Sequence, residues 1–407
     1  MIEDQSPQSQ RSWPAVGFEQ RPWQRSGDEV ASRRLLRAAA GPYRAAVPPF
    51  IADLDVSLPS DLLAVSEDAS RELTRFDAQV GTLTAPFASI LLRTESASSS
   101  EVEQLTASAK QVALAELGDS TSTNAQLVVR NVAAMEAAIA LSDELDADAV
   151  LTMHRVLLES TAPDIVGHWR DQQVWISGGG VSPHGAVFVP PHHERVPALM
   201  LDVMEFARRV DVPVLAQVAI AHAQFETVHP FPDGNGRTGR ALVQGMLRAA
   251  GVTENVTVPV SAGLLGDMKR YFDALTAYRS GDVRPIIETL ADAAFAAVQN
   301  GRRLAADIAA IGARWDAGIR ARSDSSVHGL RQLLLRQPVV TIALVAAELG
   351  VSFPTAEASV QKLVEVGILA PTRAGRRNRS FEAVEVLAAL DDFAARARRP
   401  RHGTHSA

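Results

Sequence analysis

Apolar positions fall at helical spacing through most of the chain. Over 60–79, Leu62, Leu63, Val65, Leu73 and Phe76 recur in the rhythm of an amphipathic helix. A second helix is predicted over 85–92. Ser98-Ser99-Ser100 then reads as the start signal of a third, with Val102, Leu105, Ala109, Val112 and Leu117 on one face and a break at Gly118-Asp119. The same periodicity predicts helices over 124–143, 147–159, 195–209, 212–228, 237–250 and 263–279, and over 283–299 running on to about 320.

Two stretches depart from it. Residues 163–193 hold Pro163, five glycines and four histidines, with short β-type runs at Gln173-Val174-Trp175-Ile176 and Ala186-Val187-Phe188-Val189. That pattern predicts a loop and a small hairpin. Beyond Val340, residues 341–352 and 354–366 read as two short helices joined at Gly350, followed by a strand at Gly367-Ile368-Leu369. Residues 1–45 are polar and Arg-rich without a period, which predicts an irregular start, and Val47-Pro48-Pro49 predicts an extended element. No repeat of fixed period is present. The expected fold is mainly α.

Composition narrows the class. With 407 residues, the chain exceeds what one core usually supports, roughly 250–300 residues. Apolar residues at 46% and charged ones at 21% suffice for sizeable cores. Cysteine is absent, which excludes disulfides, thiolate zinc sites and cysteine nucleophiles. No window approaches the ~18 uncharged apolar residues of a membrane span, and the N-terminus lacks the basic-then-apolar start of a signal peptide. A cytoplasmic location is the resulting expectation. A net charge of −7 argues against broad nucleic-acid coating.

Candidate chemistry concentrates between two strong helices, at His229-Pro230-Phe231-Pro232-Asp233-Gly234-Asn235-Gly236-Arg237-Thr238-Gly239-Arg240. Asp233 to Gly236 is a Gly-rich loop feeding a helix N-terminus, where backbone N–H groups and the helix dipole favour an anion. Arg237 and Arg240, three apart, reach the same side of the first turn and suit a di- or triphosphate. Asp233 can hold Mg²⁺ bridging phosphate oxygens, and His229 can take a proton from an incoming hydroxyl. As separate residues these would suit an ordinary helix–turn–helix joint with solvated arginines; together they form a specific string.

That string resembles the signature of the Fic family, H-x-F-x-(D/E)-G-N-G-R-x-x-R, at every fixed position. Gly167-His168-Trp169-Arg170, Val174-Trp175-Ile176 and Phe188-Val189-Pro190-Pro191 resemble the family's loop and hairpin flap. Pro42-Tyr43 and Val47-Pro48-Pro49-Phe50-Ile51 are similar to the start of the N-terminal region of long bacterial members. The resemblance covers most of residues 40–395. It implies a Fic-type helical bundle with a β-hairpin flap and a C-terminal winged helix-turn-helix domain. It also implies transfer of AMP from ATP to a Ser, Thr or Tyr hydroxyl of a protein. By that resemblance His229 is the general base and Asp233 the Mg²⁺ ligand. Gly234, Asn235 and Gly236 cradle phosphates, Arg237 meets the β-phosphate and Arg240 the γ-phosphate. Phe231 anchors the loop, and Ala186, Val187, Phe188 and Val189 form the flap edge that docks the target.

Bacterial members with this layout carry an inhibitory helix with the pattern (S/T)-x-x-x-E-(G/N). Ser99 and Glu103 fit it, and the pattern departs at Gln104. The resemblance implies that Glu103 pairs with Arg240; Ser100 and Glu103 could instead form a helix capping box. The C-terminal segment resembles a winged helix, with Arg373, Arg376, Arg377 and Arg379 on the expected wing before Phe381. Only Lys362 is basic on its second helix, against Glu357 and Glu365, so a protein-facing role is favoured over DNA. His168, His184, His192 and His193 lack the spacing of a structural zinc site, and Trp169 and Trp175 read as packing anchors.

The expected division is 1–45 irregular, 46–144 helical with the inhibitory helix, 145–295 catalytic, 296–330 helical linker, 331–395 winged helix and 396–407 a disordered tail. Expected partners are ATP and a target hydroxyl, self-modification included, with no membrane and a homodimer left open. Two rival readings remain: the same fold removing AMP, and a winged-helix regulator whose Fic domain senses nucleotide.

Overall fold

The structure, a computed structural model, describes residues 13–23, 39–82, 87–178, 182–318, 326–372 and 379–400. The chain opens with an antiparallel pair, β1 (Gly17–Arg21) and β2 (Tyr43–Val47), in the register Phe18 opposite Ala46. This corrects the irregular start expected for 1–45 at residues 17–21 and 43–45; residues 1–12 and 24–38 lie outside the described residues. The two strands lie too far apart in sequence to produce a local hairpin signal.

Helices follow: α1 (Ser60–Gly81), α2 (Phe87–Val102), α3 (Ala109–Glu116), α4 (Thr123–Ala140) and α5 (Ala147–Leu158). The helix expected to end at 92 continues through the serine run to Val102. Two of its serines satisfy their hydroxyls inside the helix: Ser96 Oγ donates to the Leu92 carbonyl at 2.9 Å and Ser100 Oγ to the Ser96 carbonyl at 2.8 Å. Their small volume also lets α4 approach closely, and Asn131 donates to the Ser96 carbonyl at 2.9 Å. The start signal assigned to the serines belongs instead to Ser108, which forms a capping box with Gln111 at the head of α3.

The flap is β3 (Ile176–Gly178) paired with β4 (Ala186–Phe188). Then come α6 (Val196–Ala207), α7 (Val214–Val228), α8 (Asn235–Ala249), the short α9 (Val260–Leu264), α10 (Met268–Arg279) and the 35-residue α11 (Arg284–Gly318). Helix α7 is buried on every side, carrying Leu215, Val218, Ile220 and Phe225 into one core with α1, α6, α8 and α11. Fully burying one such side chain is worth about 1.5–3 kcal/mol, so α7 is the fixed post on which the turn at His229 stands.

A buried carboxyl locks α2 to this core. Glu95, 1% exposed, accepts from the Ser261 N–H at 2.9 Å, the Ser261 hydroxyl at 2.6 Å and Gln244 Nε2 at 3.0 Å.

The remaining elements are α12 (Ser326–Arg336), β5 (Val339–Thr341), α13 (Ile342–Leu349), α14 (Phe353–Glu365), β6 (Ala370–Pro371), β7 (Ser380–Glu382) and α15 (Val384–Ala397). The strands form one antiparallel sheet in the order β5–β7–β6. Helix α15 lies on α11, with Asn300 donating to the Phe393 carbonyl at 3.1 Å. This C-terminal unit also grips the chain on either side of Glu103. Arg398 hydrogen-bonds both carboxylate oxygens of Glu101, Lys110 Nζ meets Glu382 at 2.6 Å, and the Ala109 N–H donates to Asp391 at 3.0 Å. Arg379 stands 3.3 Å from Glu357; Arg373, Arg376, Arg377 and residues 401–407 of the expected tail lie outside the described residues. Among the described residues no helix is long and apolar enough to cross a membrane.

Candidate active site

Helices α7 and α8 are joined by the turn that carries the sequence motif. His229 closes α7 in the left-handed region at φ +51°, with its N–H on the Phe225 carbonyl at 2.8 Å. For a residue with a Cβ that conformation costs roughly 1–2 kcal/mol, and the surroundings impose it. Arg170, 2% exposed, donates from Nε to the His229 carbonyl at 2.8 Å and from Nη2 to the Pro191 carbonyl at 2.6 Å. Its own N–H reaches the Pro230 carbonyl at 2.9 Å. One guanidinium therefore bolts the turn to the chain leaving the flap. The His229 Nδ1 is enclosed, 3.9 Å from Glu226 Oε2. Desolvation first, then the positive charges of Arg170 and Arg279, push this imidazole down to about 3. It is neutral at neutral pH, and Nε2 is the nitrogen left for a substrate.

Three side chains hold the loop beyond it. Phe231 is fully buried, stacked on His154 at 3.6 Å and leaning on Trp169 at 5.3 Å. His154 Nε2 lies 3.0 Å from the Asp233 carbonyl; burial pushes the ring down to about 4, so a neutral ring donates there. Asn235 closes a ring with Phe231, accepting its N–H and donating to its carbonyl, both at 2.8 Å. The Asn235 side chain is thus spent inside the loop and leaves only its backbone to meet a phosphate. Gly234 is left-handed at φ +77°. At Gly236 a Cβ would stand 2.5 Å from Glu103 Oε1 and 2.8 Å from Arg240 Nη1, so glycine opens the floor of the site. Helix α8 starts at Asn235, two residues before the predicted 237, which brings its amides to the loop.

Arg237 and Arg240 are each 3% exposed, yet a single carboxylate faces both. Glu103 Oε2 accepts from Arg237 Nε at 2.8 Å and Oε1 from Arg240 Nη2 at 2.9 Å. Ser99 completes the hold on Arg240, its hydroxyl accepting from Nε at 2.9 Å and its carbonyl from Nη2 at 2.7 Å. Arg237 Nη1 is buried without a hydrogen-bond partner among the described residues. That N–H is left for a further acceptor. The capping-box alternative for Ser100 and Glu103 fails, since Ser100 lies inside α2. Gln104, where the family pattern has Gly or Asn, sits at φ +64°. This is the conformation that Gly and Asn reach most readily.

Asp233 stands at the mouth, its side chain 63% exposed and 3.6 Å from Arg237 Nη2. Oδ1 accepts the Gly234 N–H at 2.7 Å, and the open carboxylate fits an ion that takes most of its ligands from phosphate and water, as Mg²⁺ does. Of the flap residues, Val187 is open at 78%, whereas Phe188 and Val189 are buried beside the N-terminal hairpin. The Arg279 guanidinium lies 3.8 Å over the Phe188 ring. His192 and His193 pack against each other at 4.1 Å, and His184 bonds the Gly41 carbonyl at 3.1 Å. Trp175 meets Trp23 edge-on at 5.7 Å.

His154, Glu95 and Glu226 lie outside the contiguous motif. Their signal was weak but present: each is a titratable residue on the apolar face of an amphipathic or fully buried helix.

Residues 144–247 match the Fic/DOC family model. The protein adenylyltransferase fic-1 of Caenorhabditis elegans is 29% identical over 160 residues, which are 39% of this chain and 28% of the relative. The protein adenylyltransferase Fic of Nematostella vectensis is also 29% identical, over 37% of this chain and 32% of its own length. The chain thus spans about a third or less of these relatives. A Fic family protein of Desulfovibrio desulfuricans G20 shares the fold at TM-score 0.52 and 20% identity, over 81% of this chain and 97% of that one. Its likeness reaches well beyond the matched segment, into the helices around it. The turn that holds His229 and both arginines lies inside the matched segment, and residues 144–247 are a domain of the Fic/DOC family.

Proposed function

We propose that this protein transfers AMP from ATP to a Ser, Thr or Tyr hydroxyl of a protein, releasing pyrophosphate, and that Glu103 restrains it. The observation that carries the reading is the junction of a neutral His229 with two buried arginines facing one carboxylate. The names of the relatives supply the class of reaction.

In this reading the phosphates lie on the amides of 234–236, with Arg237 toward the β- and Arg240 toward the γ-phosphate. The target hydroxyl oxygen attacks the α-phosphorus in line, its proton passes to His229 Nε2, and the bond from the α-phosphorus to the bridging oxygen breaks as pyrophosphate leaves. Asp233 would hold Mg²⁺, which neutralises charge on the phosphate oxygens. Val187 on the open part of the flap offers the target a place to lie as an added strand. Glu103 and the γ-phosphate compete for Arg240, so ATP entering beside an intact Glu103 is held in an unproductive pose. The intact base favours chemistry over a purely sensing role. The C-terminal unit, read as a winged helix, is assigned to protein rather than DNA contact, because its second helix carries Glu357 and Glu365 against Lys362.

The test is incubation with α-labelled ATP and cell lysate, comparing the parent chain with His229→Ala. Label should appear on protein with the parent and vanish with the variant while ATP binding survives. Label that persists in the variant, or ATP binding lost with it, refutes the role of His229.

A further inference from the structure

Two enclosed polar atoms beside the turn, His229 Nδ1 and Glu226 Oε1, lack a partner within ordinary hydrogen-bond geometry among the described residues, and they belong to neighbours; the Glu226 backbone carbonyl is the other acceptor near the ring. Glu226 sits one turn earlier on α7, 7% exposed, and its other carboxyl oxygen is 3.9 Å from that Nδ1. A buried donor or acceptor left unmatched costs about 1–3 kcal/mol, so both atoms gain by meeting.

Little else can move. The His229 backbone is pinned at its N–H by Phe225 and at its carbonyl by Arg170. Helix α7 is buried along its length, so Glu226 keeps its station while its side chain rotates. Room for the carboxyl comes from α8: a Cβ at Gly239 would stand 3.4 Å from Glu226 Oε1. Hydrogen bonds of a base are often long in a resting site and close when substrate arrives.

We infer that Glu226 is the positioning residue of His229: its carboxylate keeps the proton of the neutral imidazole on Nδ1, which leaves Nε2 unprotonated toward the target hydroxyl. The inference rests on the AMP-transfer reading for its consequence in catalysis, and on the geometry alone for the tautomer. When Nε2 takes the hydroxyl proton, the ring becomes an imidazolium whose Nδ1–H faces a carboxylate, and the pair shares the new charge. The charged and titratable groups around it are Arg240 and Glu103 at the phosphate end, Arg279 from α10, Tyr271 beneath, and Arg170 behind the ring. Burial pushes Glu226 up to about 7; Arg240 and Arg279 hold it down, and Glu103 holds it up. A protonated Glu226 would instead donate to Nδ1 and put the ring proton on Nε2, so the two assignments have opposite signatures.

The other buried histidines give an internal standard. His154 has its Nε2 on the Asp233 carbonyl at 3.0 Å, which fixes the Nε2–H form.

The test is a long-range ¹H–¹⁵N spectrum of the full chain labelled at histidine nitrogens, at pH 8, with His229 assigned by its loss in His229→Ala. His229 should show the Nδ1–H pattern. Glu226→Ala should collapse that preference to a mixture, and Glu226→Asp should recover part of it, with the Nε2–H signal of His154 unchanged as the mark of a folded site. A His229 carrying its proton on Nε2, or a tautomer indifferent to Glu226→Ala, overturns the inference. A second arm uses AMP transfer in a Glu103→Gly background, measured over ATP concentrations that span KM. There Glu226→Gln should lower kcat roughly 10–100-fold with the KM for ATP unchanged. An equal kcat, or a loss confined to KM, also overturns it. If the Glu103→Gly parent transfers no AMP at all, the proposed function fails, and the spectrum still decides the tautomer.

Discussion

Glu103 and Arg240 are 137 positions apart in sequence and meet at 2.9 Å, with Ser99 holding the same guanidinium from one turn earlier on α2. Arg237 shares the carboxylate at 2.8 Å, so one glutamate occupies both cations proposed for the phosphates.

Removing that glutamate separates restraint from architecture. Glu103→Gly should raise AMP transfer by roughly 10²-fold, self-modification included, since a carboxylate with one oxygen on each of two buried arginines competes with phosphate by a few kcal/mol. Labelled transfer and melting temperature are read on the same preparation. A flat or falling rate with ATP still bound excludes the restraint.

Asp233→Ala should depress transfer and weaken the Mg²⁺-dependent part of ATP affinity, because its open carboxylate leaves the mouth of the site. Transfer by the parent chain that persists undiminished in EDTA would sink the metal role.

Gln104→Gly should stabilise the protein. The residue sits at φ +64°, a conformation costing roughly 1–2 kcal/mol with a side chain, against the ~0.5–1 kcal/mol that glycine adds in chain entropy. A gain of about 0.5–1 kcal/mol in urea unfolding is expected, and a loss contradicts the strain.

Glu95 gives a pH signature. Burial holds its folded value up at about 7 against an ordinary 4.5, so the folded protein keeps a proton that the unfolded chain gives up. Its support is complete below 4.5 and is lost as pH rises through 7. Relative to Glu95→Gln, which does not titrate, the parent's unfolding free energy should fall by on the order of 2 kcal/mol between pH 5 and pH 8. Glu226 titrates in that window in both proteins and cancels in the difference. A difference independent of pH refutes the raised value.

Most helices were legible because their apolar stripes face one core, and the motif was legible because it is contiguous. What escaped has a common cause. The serines of α2 look like a helix start, yet inside the fold Ser100 bonds back into its own helix and Ser99 holds Arg240. The strand at Gly17–Arg21 depends on a partner far along the chain, as does the grip of Arg170 on His229. Glu226 and His154 show their part only once the turn is folded over them.

The bonds from the C-terminal unit to Glu101, Ala109 and Lys110 bear on how the part of the chain that holds residues 144–247 can be isolated. A truncation after α11 would strip three polar anchors from the stretch on either side of Glu103, along with the apolar seat of α3 on Val339 and Leu387. A shortened chain that turns over faster is therefore no neutral reference for the intact protein. Its excess rate would measure lost scaffolding of the restraint, and only point substitutions in the full chain keep the two halves comparable.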